Sequence, residues 1–292
     1  MKEIGGVITA MVTPFDEGGR IDFEAGRRLA AHLVSHGSNG IVISGSTGES
    51  ATITDPEAFD LMDAVREEVG DEILLAFGTG TNDTRHSVEL TKEAVARGAD
   101  AALVVTPYYN KPNPAGILAH FEAIAAVAGN LPIIAYNIPS RVVVNVPPPL
   151  LAELAKIDNV VAVKQANNDD LGPIEGLALL AGNDDVFLKT LELGGAGGIL
   201  VASHLVGSQM KEIYEAAQAG DFARAGEIDK GLRGLYDALA VTTNPIPVKA
   251  ALEMTGLIPC GALRLPLVPA DEGQRATVRA ALESVGLNPV AN

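Results

Sequence analysis

One lysine in this sequence stands where an amine could act as a nucleophile. Lys164 directly follows the apolar run Val160–Val163, which has the composition of a buried strand, and no other lysine directly ends such a run. Partial burial disfavours the charged form of an amine and so favours the form that attacks a carbonyl to give a Schiff base. A lysine at a strand end can equally extend into solvent without a chemical role. The position of Lys164 therefore leaves catalysis and plain solvation open.

A tyrosine ends the preceding apolar run and could face the same cavity as this lysine. Tyr136 closes the run Pro132–Tyr136. A phenol with a pKa of ~10 stays protonated as a donor, yet it can lose its proton transiently beside a cation. Imine chemistry needs such a group, because protons must be delivered and recovered next to the nitrogen. The alternative is a buried core aromatic whose hydroxyl bonds to the backbone.

Two further segments could bind the carboxylates of small substrates. The loop Ser44–Ser50 offers backbone N–H groups ahead of a helix, together with the hydroxyls of Ser46 and Thr47, and such a loop can hold a small anion. The same composition is typical of an ordinary turn. Arg141 is the cation best placed to bind a second carboxylate through two hydrogen bonds. Its alternative is a surface salt bridge.

The pattern along the chain predicts the framework that positions these residues. Short apolar runs rich in β-branched residues alternate with longer segments of helical periodicity, which indicates a parallel sheet. Eight such units favour a closed (β/α)8 TIM barrel, in which active-site groups come from the carboxyl ends of the strands. The predicted strands are Val7–Val12, Gly40–Ile43, Ile73–Phe77, Ala101–Val105, Pro132–Tyr136, Val160–Val163, Leu177–Leu180 and Gly198–Val201.

Helical periodicity fills most of the intervals between these strands. Asp22, Asp55 and Asp83 stand just ahead of three helical segments and are predicted N-caps. The interval between the sixth and seventh strands is too short for a long helix, so we expect only one or two turns there. The clearest predicted helices of the barrel are Phe23–His36, Pro56–Val69, Thr84–Arg97 and Pro114–Val127.

After the eighth strand the chain continues as helix alone. No linker rich in Pro, Gly or Ser separates this tail from the barrel. We therefore predict a barrel with the active site over residues 1–206 and a C-terminal helical extension over 207–292, packed on it as part of one structural unit. The predicted helices of the tail are Gln209–Ala219, Phe222–Ala240, Val248–Thr255 and Glu272–Ser284.

Charge and composition disfavour several classes of function. The chain has 292 residues with 21 basic and 37 acidic side chains, a formal net charge of −16. An acidic chain is poorly suited to nucleic acid or to an anionic membrane surface. We find neither an apolar segment of about 18–20 residues nor the features of a signal peptide. Cys260 is the only cysteine, which fits a reducing compartment, and we expect a cytoplasmic protein.

Motifs for metal or nucleotide chemistry are missing from the sequence. The five histidines show no H-x-x-H or H-E-x-x-H spacing, so we expect no metal site. There is no G-x-G-x-x-G after the first strand, no G-x-S-x-G and no Walker A loop. The acidic pairs Asp169–Asp170 and Asp184–Asp185 are interpreted as solvated loop ends and helix starts rather than as ligands.

Taken together, these motifs resemble the dihydrodipicolinate synthase and N-acetylneuraminate lyase family of Schiff-base-forming lyases. The resemblance covers nearly the whole chain, from Gly6–Phe15 to Asn244–Lys249 and Leu263–Pro266, and it depends on several motifs in matching order. Within the family, the chain is most similar to the synthases of the diaminopimelate–lysine pathway. The resemblance implies that Lys164 carries the imine and that Tyr136 donates and accepts protons.

The resemblance also assigns roles to five other residues. Ser46 and Tyr109 occupy the other two places of the family's proton relay, and the tyrosine would complete the site of a neighbouring subunit. Thr47 corresponds to the residue that binds the pyruvate carboxylate, and Ile199 to one that lends its backbone carbonyl to pyruvate. Arg141 matches the arginine that receives the carboxylate of the aldehyde substrate.

The implied reaction condenses pyruvate with L-aspartate-4-semialdehyde to 4-hydroxy-tetrahydrodipicolinate, in lysine biosynthesis. It needs no metal or organic cofactor, because the imine on Lys164 is itself the electron sink. The resemblance further implies a homotetramer built from two dimers. The nearest alternative is another pyruvate-dependent aldolase or dehydratase of the family that acts on a sugar acid. A more remote alternative is a catalytically silent barrel with a binding or regulatory role.

Some positions differ from the family's usual pattern. Ser46 stands where the synthases usually carry threonine, although the hydroxyl is retained, and Gln165 follows the lysine where a carboxylate is usual. The segment Gln165–Gly182 is also shorter than in the family, next to the catalytic strand.

Differences also occur where lysine-sensitive relatives hold their effector. Those relatives use histidines and a glutamate, and this chain has Asp55, Ala58 and His86 at those places. The loss of an acidic partner removes a charge-assisted hydrogen bond to the ammonium group of the effector. We therefore expect free lysine to inhibit weakly or not at all.

Overall fold

Eight parallel strands close into a barrel in the computed structural model, which describes residues 2–290. Each strand pairs with the next along the chain, and the last pairs with the first, Ile199 lying opposite Ile8. The predicted TIM barrel is confirmed, since every strand overlaps its predicted run. The strands are β1 (Gly6–Ala10), β2 (Gly40–Ile43), β3 (Leu74–Gly78), β4 (Ala101–Val105), β5 (Ile133–Asn137), β6 (Val160–Gln165), β7 (Ala178–Ala181) and β8 (Gly197–Leu200).

Helices surround the barrel on its outer face. Between β6 and β7 there is no α-helix but a single 3-10 turn, Asn168–Asp170, as the short interval predicts, and a second such turn covers Asp184–Val186. No helix within residues 2–290 is long and apolar enough to cross a membrane. The helices are α1 (Phe23–Ser35), α2 (Asp55–Val69), α3 (Thr84–Ala96), α4 (Pro114–Ala128), α5 (Pro139–Val142), α6 (Pro148–Leu154), α7 (Phe187–Glu192), α8 (Ser203–Gln218), α9 (Phe222–Leu239), α10 (Ile246–Met254) and α11 (Glu272–Ser284).

Two of the three predicted N-caps are confirmed, and one is wrong. The carboxylates of Asp22 and Asp83 accept hydrogen bonds from the first turns of α1 and α3. The cap of α2 is Thr54, which has extended backbone angles and forms a capping box with Glu57. Asp55 is the first residue of that helix. A threonine followed three residues later by glutamate satisfies two backbone donors at once, and this reciprocal arrangement outcompetes a lone aspartate one residue further on.

The tail differs from its predicted boundaries at two helix starts. Helix α8 begins at Ser203 rather than Gln209, and α10 begins at Ile246 rather than Val248. The first residues of α8, Ser203–Gly207, are all buried against the barrel and include a non-helical Val206, so this part of the helix lacks the amphipathic periodicity that marks a helix in a sequence. The predicted division between residues 206 and 207 thus falls inside α8, which is the eighth helix of the barrel.

A buried ion pair joins the tail to the loop between β2 and α2. Lys249 on α10 is fully buried, and its ammonium donates to Glu49 and, at 2.8 Å, to the carbonyl of Ala262. The second oxygen of Glu49 accepts from the backbone N–H of Arg264 at 3.0 Å. The Lys249 ammonium also lies 4.0 Å from the centre of the Phe15 ring. We call this group the Lys249–Glu49 lock, and it holds the tail against the barrel mouth.

Candidate active site

A cavity of about 440 Å³ opens at the carboxyl ends of the barrel strands. Five of the seven residues predicted for the site line it, namely Ser46, Thr47, Tyr136, Arg141 and Lys164. They come from three separate places in the chain: the loop after β2, the end of β5 with α5, and the end of β6. The parallel barrel brings these strand ends to one face, as the architecture requires.

Lys164 and Tyr136 are direct neighbours across the strand pair β5 and β6. The two residues lie opposite each other in register, so their side chains emerge on the same side of the sheet. The Lys164 amine is 4.3 Å from the centre of the Tyr136 ring, and each residue is only 5% exposed. A phenol therefore lies within reach of any bond that forms at this amine.

Burial shifts the pKa values of Lys164 and Tyr136 in the directions that favour the uncharged form of each group. Desolvation lowers the pKa of Lys164 to about 7, although the Asp184 carboxylate acts in the opposite direction. Burial raises the pKa of Tyr136 to about 12, against the influence of Arg141 and of a hydrogen bond from Ser46. Near neutral pH a large fraction of the amine is therefore unprotonated and nucleophilic, while the phenol keeps its proton and can donate it.

An aspartate that the sequence interpretation placed in solvent lies on the cavity wall. Asp184 follows β7 and is only partly exposed, and one of its oxygens accepts from the backbone N–H groups of Val201 at 2.9 Å and Ala202 at 3.1 Å. Burial raises the pKa of Asp184 to about 6. Asp185 is exposed and also lines the cavity. The pair begins the 3-10 turn Asp184–Val186, so its interpretation as a helix start is confirmed, whereas Asp184 is less solvated than predicted. The rule that selected the other strand ends also selects Asp184.

The substitution Asp184→Asn is expected to shift the pH dependence of imine formation to lower pH. The amide retains an acceptor for Val201 and Ala202 but removes the charge that raises the pKa of Lys164. Because only the neutral amine attacks, the rate of adduct formation rises as the pH passes through the pKa of Lys164. In the variant this rise should occur below the value near 7 that applies to the unmodified protein.

The measurement is the initial rate of borohydride-trapped pyruvate adduct, followed by intact mass from about pH 5 to about pH 9, which brackets a shifted lysine. Asp169→Asn is the matched control, because Asp169 is exposed and does not line the cavity. An unchanged or raised midpoint in Asp184→Asn would contradict the assigned electrostatics.

The loop after β2 is a tight turn in which two ordinary residues adopt left-handed backbone angles. Ser44 has a φ of 60° and Glu49 a φ of 56°, which costs free energy unless the surroundings impose it. Helix α2 begins only at Asp55. The predicted helix N-terminus therefore does not take part in this candidate carboxylate site, and the hydroxyls of Ser46 and Thr47 line the cavity instead.

Arg141 and Thr47 are connected through a residue of the tail. A guanidinium nitrogen of Arg141 donates to the backbone carbonyl of Asn244 at 2.8 Å. The side-chain amide of Asn244 donates to the Thr47 hydroxyl at 2.9 Å. Sequence reasoning noted Asn244 only as the start of a family segment, because nothing local shows that the tail returns to the barrel mouth.

Helix α9 also contributes to the cavity wall. Tyr236 is 4% exposed and lines the cavity, and its buried hydroxyl has no hydrogen-bond partner among residues 2–290. Burial raises its pKa, and the nearby Asp184 and Asp229 act in the same direction. Sequence reasoning missed this residue as well, because α9 comes after the last strand of the barrel.

The structure does not place two of the predicted residues on the cavity. Tyr109 is 86% exposed on the surface, with a left-handed φ of 74°. Ile199 is fully buried in the barrel interior, and Val201, two residues further on, lines the cavity instead. The roles assigned to Tyr109 and Ile199 therefore stay predictions.

Gln165 belongs to an amide network that closes the shortened segment after β6. Its buried side-chain oxygen accepts from the amide of Asn137 at 2.9 Å and from the backbone N–H of Asn167 at 3.0 Å. Its nitrogen donates to the carbonyl of Asp170 at 3.4 Å. An ionised carboxylate cannot donate to a carbonyl, so a glutamine suits this short turn and holds the strand end next to Lys164.

A second cavity, of about 550 Å³, adjoins the first and shares Ser46, Arg141 and Asn244 with it. Its wall includes Asp55 and His86, which form an ion pair at 2.8 Å when the histidine is protonated. Within residues 2–290 we find no group of three or more histidine, cysteine, aspartate or glutamate side chains placed to hold a metal ion.

Comparisons with known proteins agree with these features. A relative named 4-hydroxy-tetrahydrodipicolinate synthase, from Moorella thermoacetica, is 44% identical over 291 residues, which cover 97% of this chain and 99% of the relative. A dihydrodipicolinate synthase structure from Cyanidioschyzon merolae, solved with lysine bound, superposes with a TM-score of 0.93 at 39% identity and covers 97% of this chain and 98% of its own.

An Acinetobacter baumannii dihydrodipicolinate synthase, solved in complex with pyruvate, gives a TM-score of 0.94 at 37% identity. That alignment covers 98% of this chain and all of the other. The sequence pattern of the dihydrodipicolinate synthetase family matches residues 3–285. The chain belongs to the dihydrodipicolinate synthetase family.

Proposed function

We propose that this chain catalyses the condensation of pyruvate with L-aspartate-4-semialdehyde to give 4-hydroxy-tetrahydrodipicolinate, as a cytoplasmic homotetramer. The observation that carries the proposal is the buried Lys164 amine, stacked on Tyr136 at the mouth of a barrel of this family. Relatives named 4-hydroxy-tetrahydrodipicolinate synthase align over nearly the full chain, and a dihydrodipicolinate synthase structure of the same fold is described in complex with pyruvate.

The first half of the reaction forms a covalent imine. The Lys164 amine attacks the ketone carbon of pyruvate, and loss of water leaves a C=N bond to the protein. The pyruvate carboxylate binds beside Thr47, whose hydroxyl lines the cavity. The imine then withdraws electrons from the adjacent methyl group, which loses a proton to give an enamine. Tyr136 and Ser46 are close enough to move these protons.

The second half joins the two substrates and releases the product. The enamine carbon attacks the aldehyde carbon of L-aspartate-4-semialdehyde, whose carboxylate is bound by Arg141 at the mouth of the cavity. The substrate's own amino group then attacks the imine carbon and displaces Lys164 as the ring closes. The lysine leaves as the free amine, so no metal and no organic cofactor enters the proposed cycle.

The proposal is tested by intact-mass spectrometry after incubation with pyruvate and borohydride, followed by peptide mapping. We expect one reduced pyruvate adduct on Lys164. Activity is then measured with pyruvate and a panel of aldehydes that includes L-aspartate-4-semialdehyde and sugar-acid aldehydes. Faster turnover of a sugar-acid aldehyde would replace the proposed substrate, whereas the absence of any adduct would indicate a silent barrel.

Tyr109 leads to a prediction about assembly. We propose that its exposed side chain completes the site of a neighbouring subunit. Tyr109→Phe should then lower turnover at least about tenfold, because one member of the proton relay is removed. Loss of assembly is expected to abolish turnover. Sedimentation of a fully active monomer at assay concentration would refute both the shared site and the tetramer.

A third prediction concerns free lysine. In the second cavity Asp55 and His86 already pair with each other, and neither restores the glutamate that would bind the effector's ammonium group. We therefore expect at most weak inhibition in a lysine titration at a pyruvate concentration near KM. Half-inhibition well below about a millimolar, the scale of weak binding, would show that these residues still hold the effector.

A further inference from the structure

We propose that Asn244 is a positioning residue that fixes the direction of the Thr47 hydroxyl proton and so prepares it to bind the carboxylate of pyruvate. This inference rests on the proposed function, because it names what the first substrate contacts. It adds a residue of the helical tail to the proposed substrate-binding groups, which otherwise come from the barrel.

The argument begins with the hydrogen bonds available to one hydroxyl. A threonine hydroxyl has one proton to donate and can also accept. The Thr47 oxygen accepts from the Asn244 side-chain nitrogen at 2.9 Å, and this is its only hydrogen bond within residues 2–290. Thr47 is 3% exposed and lines the cavity. With its acceptor side engaged by the amide, the hydroxyl proton remains for a ligand in the cavity.

Asn244 is held at both its backbone and its side chain. Its carbonyl accepts from Arg141 at 2.8 Å. The side-chain oxygen is buried and has no partner among residues 2–290, and the residue lines both cavities. The Thr47 hydroxyl is thus the single group that this amide engages. If the amide were flipped, its oxygen would face Thr47 and accept the hydroxyl proton. That proton would then no longer be available to bind an anion in the cavity.

These two orientations make opposite predictions for Asn244→Asp. In the proposed orientation the carboxylate, which can only accept, forces Thr47 to donate its proton away from the cavity. In the flipped orientation the hydroxyl already donates to an oxygen, so the substitution would leave that hydrogen bond unchanged. It also places a negative charge beside the pyruvate carboxylate. Asn244→Ala removes the amide but leaves the hydroxyl free to rotate toward the ligand. Both variants keep the backbone carbonyl that Arg141 contacts.

The expected effects fall on pyruvate binding. We expect Asn244→Asp to raise the KM for pyruvate at least about tenfold, the scale of one lost hydrogen bond to a charged group, with kcat within about twofold. Asn244→Ala should raise it less, because the freed hydroxyl can still turn toward the ligand, and the KM for the aldehyde should change little in both variants. Asn113→Asp is the matched control, because Asn113 is an exposed N-cap of α4 at which aspartate also caps.

A double-mutant cycle with Thr47→Val separates positioning from general damage. Half-saturation by pyruvate is measured for each variant by borohydride trapping, without the aldehyde. If Asn244 acts through the Thr47 hydroxyl, Asn244→Ala should have no further effect in the Thr47→Val background. Equal effects in both backgrounds would overturn the inference, and so would an Asn244→Asp variant that binds pyruvate as the unmodified protein does.

The failure of the proposed function would look different. In that case even the unmodified protein would give no trapped adduct. Calorimetric titration with pyruvate would then still report whether Asn244 and Thr47 are coupled in binding. A variant that loses kcat and thermal stability together, with an unchanged KM for pyruvate, would show a purely structural role and refute positioning.

Discussion

Lys164→Ala is expected to reduce the trapped pyruvate adduct to background and to lower turnover at least about 10⁴-fold, a loss of the size seen when a covalent nucleophile is removed. Among residues 2–290, Lys164 is the only lysine that lines the cavity, and burial lowers the pKa of its amine. Lys156→Ala is the matched control, because that lysine forms an exposed ion pair with Glu153. An undiminished adduct in Lys164→Ala would refute the assignment.

The same variant should change how stability depends on pH. The pKa of Lys164 is lowered from 10.5 to about 7 in the folded protein. Between these values the unfolded chain binds the additional proton, so this group makes stability rise with pH. Lys164→Ala should lose that part of the rise, and urea unfolding at about pH 7 and about pH 10 measures the difference. A cooperative transition at both pH values also shows that the variant still folds.

Lys249→Met is expected to destabilise the protein by about 3–5 kcal/mol, because it leaves the Glu49 carboxylate buried without its cation. Both side chains of this pair are essentially inaccessible to solvent. The carbonyl of Ala262 would lose its donor as well. The measurement is the free energy of unfolding in urea at neutral pH.

Two further variants test whether the loss of stability comes from the unpaired Glu49 charge. Lys156→Met removes an exposed partner and should change stability by no more than about 1 kcal/mol. Adding Glu49→Gln to Lys249→Met removes the stranded charge and should recover part of the stability. A loss below about 1 kcal/mol in Lys249→Met, in the range of a surface pair, would contradict the picture of a buried lock.

The sequence predicts those parts of the site that depend on local signals. Lys164 and Tyr136 each lie at the carboxyl end of an apolar strand. Since the carboxyl ends of the strands of such a barrel meet at one face, this position alone predicts that the two residues share a cavity. Asn244 and Tyr236 give no such signal, because they reach the cavity only when the tail folds back over the barrel mouth. Asp184 looks like a solvated pair member in sequence, whereas in the fold one of its oxygens accepts from the backbone N–H groups of Val201 and Ala202.

The same distinction explains the differences in the fold. The strand order follows from repeated apolar runs. Each run is several residues long, so an error of one or two residues at its boundary does not change the order. The cap of α2 is Thr54 rather than Asp55 because Glu57 lies three residues after Thr54 and completes the capping box. The true start of α8 gives little signal in the sequence, because Ser203–Gly207 are all buried and show no polar face.

The Lys249–Glu49 lock has a consequence for recombination between relatives. Residues 44–50 and residues 244–264 contact each other through the buried pair Lys249–Glu49 and through two part-buried hydrogen bonds, Asn244 to Thr47 and the backbone N–H of Arg264 to Glu49. A chimera that receives the tail of one relative and the barrel of another inherits two halves of this contact from different parents. Such exchanges should yield stable proteins only when the two segments supply complementary residues, so these segments must be exchanged together wherever the parents differ in them.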